Sequence, residues 1–142
     1  MATFRGLGPV KLGDTVGHIS RSLARSIRVP KDPDEAACFH APGPGGSSLL
    51  IEDGVVVRID VRVPGIRTAR GAQVGDSIER IRKLYGSRLR EEPHFHAGLP
   101  ELYMTVLSSS GKASLRFETS AGKIDAWFIG QSAAVKYVEG CQ

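Results

Sequence analysis

Apolar residues recur at helical spacing in two places along this chain, at Val16, Ile19, Leu23 and Ile27 and again at Ile78, Ile81, Leu84 and Tyr85. Positions three and four apart lie on one face of a helix, so each run predicts an amphipathic helix with its stripe turned to a core. The first helix is expected to open at Asp14 or Thr15, either of which can accept from the free amides of the first turn. For the second, Asp76 with Glu79 three residues on reads as a capping pair. Gly17 weakens the first turn, so the first helix is expected to be the less stable of the two. Two prolines within residues 28–34 should end it, because proline lacks an amide hydrogen and disfavours helix just before itself. Gly86 lies inside or ends the second helix.

Between and after these runs the pattern changes to alternation with period two. Residues 38–41 predict a short strand, and residues 42–46 a mobile connection. Residues 49–51 and 55–61 are the best hairpin candidate, turning at Asp53-Gly54. Arg58, Asp60 and Arg62 alternate with Val57, Ile59, Val61 and Val63, which predicts one solvated and one buried face. Further strands are expected at 102–107, 113–119 and 123–129, with turns at Ser108 to Gly111 and at Ser120-Ala121-Gly122. A last short strand is expected over 134–138. Residues 1–11, broken by Gly6, Gly8 and Pro9, read as a lead-in, and residues 91–100 as an irregular loop.

The two runs are also alike in their openings. Leu12-Gly13-Asp14-Thr15-Val16 and Val74-Gly75-Asp76-Ser77-Ile78 stand 62 residues apart, and each is followed by a proline-bearing stretch and a strand-turn-strand pattern. The expected architecture is therefore α+β: two tandem helix-plus-antiparallel-sheet units, residues 1–66 and 67–142, with the helices packed on one face of the sheet. Units of this length are marginal alone, so the halves are expected to form one body.

Composition narrows the class only a little. Hydrophobic content of 41% with 24% charged residues is ordinary for a globular chain. No apolar run approaches the roughly 18 residues that a membrane span needs, so none is expected. Met1-Ala2-Thr3-Phe4 lacks the basic and apolar stretches of a secretory signal, so the protein is either cytosolic or read here without its targeting segment. The net charge of +4 rests largely on helix positions such as Arg21, Arg25, Arg80, Arg82 and Lys83, which is first of all the pattern of solvated helix faces. A surface for nucleic acid or an acidic partner is the less favoured use of that charge. Cys38 and Cys141 either pair or remain two thiols. A bond would close a loop of about 100 residues, worth roughly 4–5 kcal/mol in the chain-entropy picture, and would imply an oxidising compartment.

The chemistry-bearing residues do not assemble into a recognisable site. His94 and His96, two apart, would share a side of an extended segment and with His40 could bind a metal ion, but no paired-cysteine or His-Glu-x-x-His pattern accompanies them. Cys38 and His40 could face the same way on a strand, yet no residue to orient the histidine is identifiable. Ser108 to Ser110 read as a polar turn, and the glycine-rich stretches lack a phosphate-loop lysine. No catalytic residue, metal site or cofactor is expected. For recognition, Trp127, Tyr103 and Arg116 are the candidate binding residues, because Trp, Tyr and Arg most often anchor protein interfaces.

The paired openings at Leu12 to Thr15 and Val74 to Ser77, each leading a helix and then strands, resemble the outer-membrane assembly lipoproteins of the BamE/SmpA type. Two such units in one chain are similar to the β-lactamase inhibitor protein (BLIP-like) architecture, in which two helix-sheet modules share a surface. Cys38, Glu52-Asp53-Gly54 and the closing Glu139-Gly140-Cys141 are also similar to small secreted bacterial proteins. The likeness implies a periplasmic or secreted, non-enzymatic protein that binds another protein, as an inhibitor or an envelope scaffold. It does not extend to a lipid anchor, since no lipobox cysteine is present, and no inhibitory contact residues can be carried over. The alternatives are a basic cytosolic nucleic-acid-binding module and a small metal-dependent hydrolase using His40, His94 and His96.

Overall fold

A computed structural model of the chain describes residues 1–137, 140 and 141. The fold is mixed α+β. In chain order the elements are β1 (Ala2–Thr3), β2 (Gly6–Leu7), β3 (Val10–Lys11), α1 (Val16–Ser22), α2 (Pro33–Ala37), β4 (Cys38–Pro42), β5 (Ser48–Glu52), β6 (Val55–Val61), α3 (Ile78–Tyr85), β7 (Arg90–Pro93), β8 (Leu102–Leu107), β9 (Ala113–Ser120) and β10 (Lys123–Gln131). The first three strands make a small sheet. The other seven form one antiparallel sheet in the order β4-β5-β6-β10-β9-β8-β7.

Hydroxyls, not carboxylates, cap the two amphipathic helices. Thr15 Oγ1 accepts from the His18 amide at 3.2 Å and Ser77 Oγ from the Arg80 amide at 3.1 Å. Asp14 and Asp76 sit one residue earlier and accept from the amides of Lys11 and Gln73, at 2.8 and 3.0 Å. The expected Asp76–Glu79 capping pair is thus replaced by a Ser77 cap, with Asp76 closing the turn ahead of the helix. Each capping segment is latched to a strand by two backbone bonds. Gly13 N donates to Val56 O and Val56 N to Asp14 O, while Gly75 N donates to Ile124 O and Ile124 N to Asp76 O.

The two hairpins share a turn and a register. Asp53-Gly54 has φ of 51° and 82°, and Ala121-Gly122 has φ of 51° and 80°. This left-handed pair matches strand twist, and the glycine supplies its half without steric cost. Beyond the turns, the pairing slips by one residue between Leu50 and Ile51 in the first hairpin and between Ile124 and Ala126 in the second. The extra residues are Val57 and Asp125. At the centre of the sheet β6 and β10 pair antiparallel, with Val61 opposite Trp127 and Ile59 opposite Ile129.

One sheet face carries the main core. Leu49, Ile51, Ile59, Met104, Phe117, Trp127 and Ile129 cluster there with Ile19 of α1 and Ile81 of α3. Side chains of this size, fully buried, contribute about 1.5–3 kcal/mol each. Trp127, a candidate binding residue, is among them with no exposed surface, and its indole Nε1 is buried without a hydrogen-bond partner. It is a packing residue and presents nothing to a partner.

Several local expectations change. Helix α1 ends at Ser22, because Leu23 caps it and Ala24 takes a left-handed φ of 51°. Ile27 therefore lies outside the helix, though it still packs on the core. The prolines expected only to end a helix also start one: Asp32 accepts from the amides of Asp34 and Glu35, and Pro33 occupies the first helical position, where its missing amide costs nothing. The lead-in folds as β1–β3, docked by the Ala2 amide to Arg67 O. Residues 91–93, read as loop, belong to β7 and pair with β8. The expected mobile connection includes a 3-10 turn, Pro44–Gly46. Residues Ala134–Lys136 form a 3-10 turn instead of strand, while Val138 and Glu139 lie outside the described residues.

Candidate functional site

The sheet face opposite the main core carries two small apolar clusters and two buried arginines, whose surroundings differ. Arg58 and Asp60 lie side by side on β6. They were expected on a solvated face, yet they are only 2% and 5% exposed. Arg58 Nε and Nη2 donate to the two Asp60 carboxylate oxygens at 2.6 and 2.8 Å, and Nη1 donates to the carbonyls of Ala134 and Tyr137 at 3.1 and 3.0 Å. The guanidinium also stacks 4.6 Å from the centroid of Phe128. The pair is covered by the C-terminal segment, a strap whose 3-10 turn at Ala134–Lys136 packs against β6, β10 and β9. Its end is tied by a disulfide between Cys141 and Cys38 of β4, with Cα atoms 5.6 Å apart. Gly140 makes the close approach possible: a Cβ there would sit 2.6 Å from His40 Nε2, and its φ of 79° is left-handed. Tyr137 adds a longer contact to Glu52.

The other buried arginine, Arg116, lies two strands away on β9, and the same segment reaches its surroundings through Lys136. Strand register sets Arg116 of β9 opposite Thr105 of β8, and Tyr103 of β8 opposite both Glu118 and Glu92. Alternation then brings all five to the face opposite the core. Arg116 is 5% exposed. Its Nε donates to Thr105 Oγ1 at 3.2 Å, its Nη2 donates to Glu92 Oε1, and its guanidinium lies 4.3 Å from the Tyr103 ring centroid. Burial pulls the Arg116 guanidinium below its ordinary pKa, a pull that the nearby Glu92 carboxylate opposes. Burial likewise pushes the Tyr103 hydroxyl up, opposed by the Phe95 backbone close to it.

Glu92, Tyr103 and Arg116 line a groove of about 270 Å³ together with Pro93, Phe95 and Lys136. Phe95 is 71% exposed, and Leu99 in the following turn is 70% exposed. The loop bearing them is anchored from below. The His94 ring packs 4.5 Å from Tyr103, and its Nδ1 accepts from the amides of His96 and Ala97, both at 3.2 Å. In the neutral ring the proton is then on Nε2, which faces Glu118 at 3.9 Å. An aromatic is thereby held out at a groove lined by an arginine and a tyrosine. Such an arrangement can bind; it contains no nucleophile with a base to activate it.

No family model, curated protein or solved structure matches this chain. The site is therefore described by its own geometry. Of the expected binding residues, Tyr103 and Arg116 are brought together and Trp127 is on the opposite face. His40 is on edge strand β4, while His94 and His96 follow the opposite edge strand β7, so the three are not gathered. Among the described residues no three of His, Cys, Asp and Glu converge as a metal-binding group, and none of the helices is long and apolar enough to cross a membrane. Cys38 is disulfide-bonded and offers no thiolate. Sequence reading missed Glu92, Thr105 and Lys136. Only Glu92 had a signal, since it alternates with Arg90, but the nearby prolines masked the strand.

Proposed function

We propose that this protein is a non-enzymatic binding module of an oxidising compartment, periplasmic or secreted, built from two copies of a helix-plus-hairpin unit. In this reading it resembles the BamE and β-lactamase inhibitor architectures, and another protein docks at the groove bordered by Phe95. The observation that carries the reading is the groove itself: Arg116 and Tyr103 stacked within it beside Phe95, which is exposed at 71% on an anchored loop. Aromatic and arginine side chains of this kind supply most binding energy at interfaces. The disulfide is compatible with an oxidising compartment. Against a nucleic-acid surface, Arg58, Arg80, Arg82 and Arg116 are each held by a carboxylate of the protein's own, which leaves less free positive charge than the net value implies.

The test is site-specific photo-crosslinking. Benzoylphenylalanine is placed at position 95, or at the exposed Glu35 on α2 as control, and irradiated in the native compartment. The expected result is a discrete adduct at position 95 alone. Excess unlabelled protein should suppress it, and excess protein carrying Phe95→Asp and Leu99→Asp should not. Equal adducts at both positions, or suppression by the double variant, would show that this face is not the docking surface.

A further inference from the structure

A second cavity lies on the core side of the sheet, away from the groove. Its floor is Leu115 of β9 and Ile129 of β10, and its walls are the N-terminal Ala2 and Phe4 on one side and Tyr85 of α3 on the other. The volume is about 180 Å³. A dry apolar cavity of roughly 150 Å³ accommodates a benzene-sized guest, so one small ring or short branched chain fits this space. The walls offer such a guest almost nothing polar. The Tyr85 hydroxyl is already bonded to Thr68 Oγ1 at 2.8 Å, which in turn accepts from the Ala72 amide at 3.1 Å.

The rim is different in kind, because Arg70 and Arg88 both line it. Arg70 Nη1 donates to Leu84 O at 3.0 Å and its guanidinium lies 5.7 Å from the Tyr85 ring centroid. Arg88 Nη2 reaches Leu107 O at 3.4 Å. Burial pushes the Tyr85 hydroxyl up, while the Thr68 hydrogen bond and both guanidiniums pull it down. Among the described residues, neither forms an ion pair with a carboxylate, in contrast to Arg58, Arg80, Arg82 and Arg116. Two guanidiniums without a counter-ion above an apolar slot match a ligand with an apolar body and one anionic end.

We propose that this cavity binds a small apolar monocarboxylate, its hydrocarbon part against Leu115 and Ile129 and its carboxylate between Arg70 and Arg88. Benzoate serves as the probe, with benzyl alcohol as the uncharged equivalent and acetate as the charge without the body. Binding to the intact oxidised protein is followed by titration calorimetry and by the methyl resonances of Leu115 and Ile129. Benzoate is expected to shift both methyl groups and to bind more tightly than either comparison ligand. Since hydrogen bonds to a charged group contribute about 1.5–3 kcal/mol, Arg70→Gln with Arg88→Gln should weaken benzoate by about tenfold or more and leave benzyl alcohol unchanged. Both residues are exposed, so the variants should fold; unchanged thermal unfolding checks this. Equal affinity for benzoate and benzyl alcohol, benzoate binding unaffected by the double variant, or no response from the floor methyl groups would each overturn the proposal.

Discussion

Arg58 and Arg116 occupy the same face of one sheet, two strands apart, and are almost equally buried, yet their surroundings differ. Arg58 is saturated: both oxygens of a buried aspartate, two backbone carbonyls and an aromatic face satisfy it. Arg116 rests on Tyr103 and Thr105 and depends for charge on Glu92, which is itself 57% exposed. The first is covered by a segment of chain locked down through Cys141; the second borders a groove. A buried charge with every hydrogen bond made serves structure, since its desolvation is offset within the protein. One that is less fully compensated beside an open groove has interaction capacity left for a partner.

The largest break in that comparison should come from the strap. Cys141→Ser removes a link between residues 103 apart in sequence, for which the chain-entropy picture gives about 4–5 kcal/mol. Urea denaturation should show a loss of that order, and intact-mass analysis after alkylation should find two blocked cysteines in the parent only when reductant is absent. Next comes Asp60→Ala, which leaves Arg58 buried and unpaired and should cost about 3–5 kcal/mol. A loss below about 1 kcal/mol would mean that the strap does not seal the pair from water. A stabilising change is expected in the second hairpin. Ala121 holds the left-handed φ that Asp53 holds in the first, at a cost of about 1–2 kcal/mol for a residue without a polar side chain to support it. Ala121→Asn should return about 1 kcal/mol, read as a raised melting temperature, and no gain would show that the two turns are not energetically equivalent. The smallest effect belongs to Glu92→Gln, under about 1 kcal/mol because that carboxylate is largely solvated. If it proved as damaging as Asp60→Ala, the distinction between the two arginines would fail.

Much of the fold was legible in local pattern. The hairpin at Asp53-Gly54 and the strands at 102–107, 113–119 and 123–129 appear close to where alternation put them, because strand period and turn chemistry are set by neighbouring residues. The caps came within one residue, and the choice between Asp76 and Ser77 was made by the turn before the helix. Strands too short to show a period, β1–β3 and β7, were missed, since two to four residues carry no recognisable repeat. Of the candidate site, Tyr103 and Arg116 were named by residue type, whereas Glu92 and Thr105 became visible only once β7 and β8 were paired.

By itself the sequence determined the local elements: helical stripes at Ile19 and Ile81, glycine turns at 54 and 122, and a second cysteine available to tie down the chain end. Only the tertiary structure decided what each face of the sheet meets. Alternation separates Arg58 and Asp60 from Val57 and Ile59 whatever lies above them. It cannot report a strap made from residues 76 and 79 positions away from Arg58. Nor can it tell that Trp127 joins the main core while Arg116 lines the groove. Side-chain period is a property of one strand, but burial is a property of everything that packs on the sheet, and most of that comes from distant sequence.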